Sequence, residues 1–310
     1  MPNIVIHHQQ IPSTQDLARQ EKARLRPGIW WIYTADEQTK GRGTHNRNWA
    51  SPPDVNVYVT YSFLMPVNKH NDAVIPHLSQ VAALAVTQML QSYGLHPTLK
   101  WVNDVLLNQR KMCGILVEVE NVTVAGIDYY AVFLGMGINV NMSLAVCEQL
   151  DQPVTSMSVI AGKTFDKNEV LAKTTGYLQT FIQLLLIQDY KVLRPHINAV
   201  LERYDGEEII FDTAGMGKPA TKEQLIKGRI LGMNEQGHLQ LATQQGIKSL
   251  FSGRILKGTE KDAAIAIMHA GHATSATATI VATPAWRISS APAITPNPAA
   301  ALSCSYYAKL

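Results

Sequence analysis

Hydrophobic positions alternate between two periods over most of the chain. Residues 3–7 form a short β-branched run. Ser13-Thr14-Gln15-Asp16 then opens a helical stretch, with Ser13 placed to cap it and Asp16 three residues on, as in a capping box. Pro27-Gly28 stops that stretch. Residues 29–34 read as a strand, and residues 55–63 alternate as a second one entered from Pro52-Pro53. Residues 72–93 carry Leu78, Val81, Ala82, Ala85, Val86 and Met89 on one helical face, and Gly94 ends the pattern. Residues 115–120 and 131–134 read as paired strands around the turn-forming Ala125-Gly126-Ile127-Asp128. Residues 167–186 give a second amphipathic helix with Val170, Leu171, Thr174, Leu178, Phe181, Ile182 and Leu185 inward. The pattern predicts an α+β domain over residues 1–203, a mixed β-sheet with packed helices.

From residue 204 the pattern changes to short β runs at 208–211, 225–231, 238–242 and 248–251, separated by glycine-containing turns. That spacing predicts a small all-β barrel over 204–258. Residues 259–310 are rich in Ala, Thr, Ser and Pro and show no sustained period, so they read as a poorly ordered tail.

Composition narrows the class. Hydrophobic residues make up 46% and charged residues 16%, values of a globular protein with a core, and the net charge of +3 is too small to argue for nucleic acid. The three cysteines are unclustered and support neither a disulfide framework nor a zinc site. No basic, apolar leader opens the chain, and no uninterrupted apolar stretch reads as a bilayer span, so a cytoplasmic protein without membrane attachment is expected.

Four segments carry candidate chemistry. Gln38-Thr39-Lys40-Gly41-Arg42-Gly43-Thr44-His45-Asn46-Arg47-Asn48-Trp49 sets two glycines around an arginine. Such a loop lets a ligand approach the backbone, offers guanidinium donors to carboxylate or phosphate, and ends on a ring that can stack on a base. Taken alone it reads more readily as a glycine turn with solvated basic residues, and it lacks the P-loop spacing. Lys100-Trp101-Val102-Asn103-Asp104, followed by Lys111-Met112-Cys113-Gly114-Ile115-Leu116-Val117-Glu118, places a lysine and an aspartate where an anionic substrate could be neutralised and a proton accepted. It also reads as a hairpin with a solvated lysine. Gly135-Met136-Gly137-Ile138-Asn139-Val140-Asn141 allows close approach of a ligand or a plain strand end. Ser13-Thr14-Gln15 can bind a ureido or carboxylate group at a helix start, or simply cap the helix.

Taken in this order and spacing, the four segments resemble the biotin protein ligase family over residues 11–257. The resemblance implies a class II synthetase-like catalytic domain followed by a small SH3-like domain. It implies an enzyme that adenylates biotin with ATP and Mg²⁺, then transfers biotin to a lysine of a biotin carboxyl carrier domain. Ser13, Thr14 and Gln15 would line the biotin ring pocket with Gln38 beside them. Gly41, Arg42, Gly43 and Thr44 would close over biotin and the adenylate, with Arg42 on carboxylate and phosphate oxygens. Lys111, followed by Gly114, would bridge the biotin carboxylate and the α-phosphate. Trp49 and Asn139 would contact adenine, Arg47 would supply the later arginine of the loop, and Asn103 and Asp104 would sit near the phosphates. Asp104 is then the group to orient or deprotonate the acceptor lysine. The mixed anhydride hydrolyses in water, so a lid over it is useful.

Two positions depart from the commonest family pattern. Thr44 supplies no second guanidinium, which bears on how tightly the intermediate is held, and Val102 stands where proline is frequent. The residues before Ser13 are too few for a helix-turn-helix domain, so no DNA binding is expected. Homodimerisation, common in the family, stays open. The competing readings are a lipoate or octanoate ligase of the same fold, favoured less by the Gly-Arg-Gly loop with Trp49, and a non-catalytic adenylate-binding regulator, which would have lost Lys111 or Arg42.

Overall fold

The computed structural model describes residues 2–44, 47–214 and 220–269, together with the backbone of residues 305–307. The chain divides into two compact units: the main break is at Glu202/Arg203, and Glu235–Gly237 and Ser305–Tyr307 group with the first unit.

In the first unit the alternating stretches become strands β1 (Asn3–Ile11), β2 (Trp30–Gln38), β3 (Val57–Pro66), β4 (Pro97–Lys100), β5 (Asp104–Leu107), β6 (Arg110–Val124) and β7 (Ile127–Ile138). They form one sheet in the order β1-β2-β3-β7-β6-β5-β4, to which residues Ser305–Tyr307 add a short strand beside β1. Strands β1 and β2 run parallel and every later neighbouring pair antiparallel, so the sheet is mixed, as the pattern predicts. The β6–β7 hairpin is longer than expected. It turns at Ala125 and Gly126, both in the left-handed region at φ 52° and 80°, where glycine is at home and alanine is held by the tight turn.

Helix α1 (Thr14–Gln20) packs on β2, β3 and β7. The single helix expected over 72–93 is two, α2 (Lys69–Val74) and α3 (Leu78–Gln91), joined by a 3-10 turn at Ile75–His77. Pro76 lacks the amide hydrogen a continuous helix needs and sits where a new turn starts. Helix α3 is the core helix: Leu78, Val81, Ala82, Ala83, Leu84, Ala85, Val86, Met89 and Leu90 are all buried. After α4 (Leu144–Glu148) and α5 (Met157–Ala161), α6 (Lys167–Gln188) lays Val170, Thr174, Leu178, Ile182 and Leu185 inward and packs on α3, while Leu171 and Phe181 are only half-buried. Helix α7 (Tyr190–Val200) has no counterpart in the sequence reading, where Pro195 interrupts its pattern. Lys69–Gln91 and Lys167–Gln188 are long and apolar enough by length and composition to cross a membrane; in this fold the first is 72% buried and the second 28% buried among protein neighbours.

The second unit is an antiparallel sheet of β8 (Ile209–Asp212), β9 (Leu225–Met233), β10 (Leu239–Thr243), β11 (Gly246–Leu250) and β12 (Arg254–Ile255), in the order β11-β10-β9-β8-β12. Among the described residues β11 and β12 are the sheet's edges, so the ladder does not close. Helix α8 (Gly258–His269) follows, with Ala264 in a small core beside Ile210, Leu225 and Leu256. The tail therefore departs from the expectation over its first residues: alanine-rich sequence with Glu260 in the first turn is good helix material. Residues 270–304 lie outside the described residues.

Candidate active site

The site is built on a patch of sheet from which side chains are missing. Strand register sets Gly137 beside Gly114 and Gly135 beside Leu116, with Thr60 across from Gly135. A methyl group on Gly114 would meet the Trp49 ring at 2.6 Å, one on Gly137 would overlap the same indole, and one on Gly135 would meet Gln15 Oε1 at 2.6 Å. These glycines thus admit two side chains onto the sheet surface, and the cavity there encloses about 40 Å³. Trp49 lies across its floor with its indole Nε1 buried and without a hydrogen-bond partner among the described residues.

Around the cavity runs a chain of hydrogen bonds, most of them between neutral groups. Ser13 caps α1 by accepting from the Asp16 amide at 3.3 Å. The backbone N–H of Thr14 donates to Gln38 Oε1 at 2.8 Å, and the Thr14 hydroxyl does so at 3.2 Å. Gln38 Nε2 in turn donates to Ser51 Oγ at 3.0 Å, whose hydroxyl donates to the Trp49 carbonyl at 3.1 Å. The Thr60 hydroxyl lies 2.9 Å from Thr14 Oγ1 and 3.2 Å from Gln15 Oε1. Gln15 Nε2 donates to Glu118 at 2.9 Å and to the Phe133 carbonyl at 3.1 Å. Ser13, Thr14, Gln15 and Thr60 are all buried.

The glycine loop is a small hairpin, closed by Gly43 N–H to the Arg47 carbonyl at 2.7 Å and Trp49 N–H to the Gly41 carbonyl at 2.8 Å. It turns Arg42 toward two carboxylates. Nη1 donates to Asp16 at 2.8 Å and to Glu118 at 3.1 Å, and Nη2 donates to Glu118 at 2.9 Å. Asp16, read from sequence as half of a capping box, spends its carboxylate on Arg42 instead. The Glu118 hydrogen bond, ahead of the charges of both acids, raises the Arg42 pKa further above its usual value. For Glu118, burial acts to raise the pKa, but the hydrogen bonds from Arg42 and Gln15 prevail and leave it below the ordinary carboxylate value.

Lys111 opens the long strand β6 and is fixed from behind: its N–H donates to the Pro153 carbonyl and its carbonyl accepts from Thr155, both at 2.9 Å. Its ammonium stands 2.7 Å from Asp104 and 5.2 Å from the centre of the Trp49 ring. Asp104 also lies 3.8 Å from Lys100. Asn103 is held across the β5–β6 turn by Nδ2 to the Ile115 carbonyl at 2.8 Å.

Of the residues singled out in the sequence, Ser13, Thr14, Gln15, Gln38, Arg42, Gly43, Thr44, Trp49, Asn103, Lys111 and Gly114 line this one cavity. Asp104 stands behind Lys111, and Gly41 behind Trp49, where an added methyl would strike the Trp49 carbonyl. Two residues are not brought to the wall. Arg47 is exposed. The Asn139 side chain is buried and used for structure, donating to the Thr155 carbonyl at 3.0 Å. His45 and Asn46 lie outside the described residues. Sequence reasoning gave no role at the site to Thr60 or Glu118, and gave Asp16 only a capping role. Glu118 at least lay inside a motif, whereas Thr60 sits in an alternating strand with nothing local to mark it.

Residues 8–139 match the model of the biotin/lipoate A/B protein ligase family. The chain is 29% identical over 264 residues to the bifunctional ligase/repressor BirA of Bacillus subtilis, covering 82% of this chain and 74% of that protein. It is 29% identical over 158 residues to a biotin–[acetyl-CoA-carboxylase] ligase of Mycobacterium tuberculosis, covering 49% of this chain and 53% of the other. The biotin protein ligase of Aquifex aeolicus, solved in complex with biotin and ATP, superposes with a TM-score of 0.66 at 28% identity, over 81% of this chain and 97% of that one. With the mixed sheet, the glycine floor and the Arg42 and Lys111 cations in one cavity, the chain is similar over most of its length to biotin protein ligases, and its residues 8–139 match the biotin/lipoate A/B protein ligase family.

Proposed function

We infer that this protein is an ATP-dependent biotin protein ligase that forms biotinyl-5'-adenylate and pyrophosphate, then transfers biotin to a lysine of a biotin carboxyl carrier domain. The observation that carries this reading is the meeting, in one cavity, of a neutral hydrogen-bonding wall with two cations, Arg42 and Lys111. A ureido ring presents one carbonyl and two N–H groups, and Ser13, Thr14, Gln15, Gln38 and Thr60 can answer them. The dithiolane of lipoate presents no such groups and would leave buried polar atoms unanswered, which favours biotin within the family.

In adenylation a biotin carboxylate oxygen attacks the α-phosphorus of ATP and pyrophosphate leaves. Two anions must approach, so Lys111 and Arg42 neutralise them and hold them in line. Mg²⁺ would travel on the ATP phosphates and supply further charge neutralisation there. Among the described residues no cluster of three or more His, Cys, Asp or Glu that could hold a metal ion occurs, and Asp104 beside Lys111 is the carboxylate placed to share a phosphate-borne ion. In transfer, the acceptor amine attacks the biotinyl carbonyl and AMP leaves. Asp104 takes up the proton that the amine must lose. The second unit corresponds in this reading to the SH3-like domain of such ligases.

The test is biotin-dependent exchange of labelled pyrophosphate into ATP by the purified protein and by Lys111→Ala. Exchange that requires biotin, ignores lipoate and falls by roughly 100-fold or more in the variant supports the assignment. Exchange with lipoate alone would keep the fold and overturn the substrate. Folded protein with no exchange on either acid would overturn the enzyme.

A further inference from the structure

Arg42 has five N–H donors, and the fold engages them selectively. Nη1 serves Asp16 and Glu118, and Nη2 serves Glu118. Among the described residues these three bonds leave the Nε hydrogen and one Nη2 hydrogen, which lie side by side on the guanidinium edge turned away from Glu118. That edge is the side-on face by which arginine grips a carboxylate or phosphate with two parallel bonds. Arg42 therefore has no need to leave its acidic partners in order to bind an anion.

Glu118 is itself held in place. It belongs to the central strand β6, four residues after Gly114, and is paired across to Phe133. Its second oxygen also takes Gln15 Nε2 at 2.9 Å, and Arg19 lies 3.5 Å from the first. Its side chain is 25% exposed and does not line the cavity. A rigid strand thus grips the one arginine of the glycine loop that faces the cavity, while the loop supplies the reach.

We propose that Glu118 is the positioning residue of the adenylation site: it fixes the Arg42 guanidinium so that its free Nε/Nη2 edge faces the carboxylate and phosphate oxygens of the reacting pair. The proposal rests on the biotin ligase reading. Glu118 touches neither substrate and acts through Arg42. A glutamine at this position has one acceptor oxygen and one donor amide where both neighbours are donors, so it loses at least one of the two bonds that fix the Arg42 guanidinium.

The experiment is a double-variant cycle on biotin-dependent pyrophosphate exchange, with wild type, Arg42→Ala, Glu118→Ala and the double variant, and with Glu118→Gln as the isosteric control should Glu118→Ala fail to fold. Calorimetric titration with biotin and with biotinol, which lacks the carboxylate, accompanies it. Misplacing a reacting group by about 1 Å costs on the order of 100-fold, so Glu118→Ala should lower kcat/KM for biotin by about 10- to 100-fold, with Glu118→Gln between it and wild type. The double variant should be no worse than Arg42→Ala by more than about threefold, since the two residues act as one unit. Biotin binding should weaken while biotinol binding holds. Losses that multiply in the double variant, or biotinol weakened as much as biotin, would overturn the proposal and assign Glu118 to the ring pocket or the fold. A wild-type protein inert toward biotin would overturn the ligase reading and the proposal with it, whereas an active wild type with an indifferent Glu118→Ala overturns the proposal alone.

Discussion

Gly135→Ala should damage both the fold and the biotin pocket, while Gly176→Ala in the same unit should stabilise it. The new methyl at Gly135 would sit 2.6 Å from Gln15 Oε1, where ordinary contact begins at 3.4 Å, so the amide must retreat by about 0.8 Å. Gln15 has nowhere easy to go. It is 3% exposed, and its amide nitrogen is tied to Glu118 and to the Phe133 carbonyl. The 3.2 Å bond from Thr60 to Gln15 Oε1 is the one that breaks. Overpacking costs about 1–3 kcal/mol and the lost buried hydrogen bond about 1 kcal/mol. Loss of unfolded-chain freedom returns up to about 1 kcal/mol. A net loss of about 1–3 kcal/mol in a unit of this size lowers Tm by roughly 3–10 °C.

Gly176 lies exposed inside α6, and a methyl there meets nothing within 4 Å. Alanine is the better helix former by about 0.5–1 kcal/mol, so Tm should rise by roughly 1–4 °C. The assay is calorimetric melting of both variants with biotin titration of pyrophosphate exchange. Gly135→Ala should show the lower Tm and a raised KM for biotin, and Gly176→Ala a higher Tm and an unchanged KM. A Gly135→Ala protein that melts with wild type and keeps its KM would refute the idea that Gln15 is pinned above this glycine.

Two further outcomes are expected. Asp104→Asn should slow transfer of biotin from preformed adenylate to a carrier domain by about 10²- to 10⁴-fold while exchange falls much less, read in single-turnover mixing; equal losses in both steps would remove its role toward the acceptor amine. Because the folded pKa of Glu118 lies below its ordinary value, its contribution to stability is present above about pH 4.3 and drains as pH falls through the folded value. Arg42→Ala removes the first of the hydrogen bonds that lower it, so the Tm gap between wild type and Arg42→Ala should be widest above about pH 5 and close below about pH 4; a gap constant from pH 3 to 7 would refute the coupling.

Much of this site was legible because its residues fall in short local motifs. Eleven of the predicted positions meet at one cavity. Local patterns also marked α3, α6 and the 125–128 turn, since period and turn chemistry act within a few residues. The illegible parts depend on long-range register. Thr60 belongs to the site only because β3 pairs with β7, which lies far along the chain. Asn139 looked like a ligand for a base, but the Thr155 carbonyl claims its amide. Asp16 fitted a capping box, yet the pull of the Arg42 guanidinium outweighed a local bond to the helix start.

The two Gly-x-Gly pairs make the same point more sharply. Gly41 and Gly43 flank Arg42, and Gly135 and Gly137 flank Met136, at identical spacing. From sequence both say only that something approaches the backbone. The strand pair sits in an unbroken ladder between β3 and β6, so the sheet keeps every hydrogen bond while losing the side chains that would fill the cavity. A floor cut in this way stays rigid, because no strand is spread to make room. The loop pair has no such ladder, and its chain is directed by Arg42 and Trp49 at either end. Reach comes from one pair and rigidity from the other. Glu118, on the floor's own strand and bonded to the loop's arginine, is where the two are joined, and a ligase that must bring two anions together without losing the product to water needs that joint.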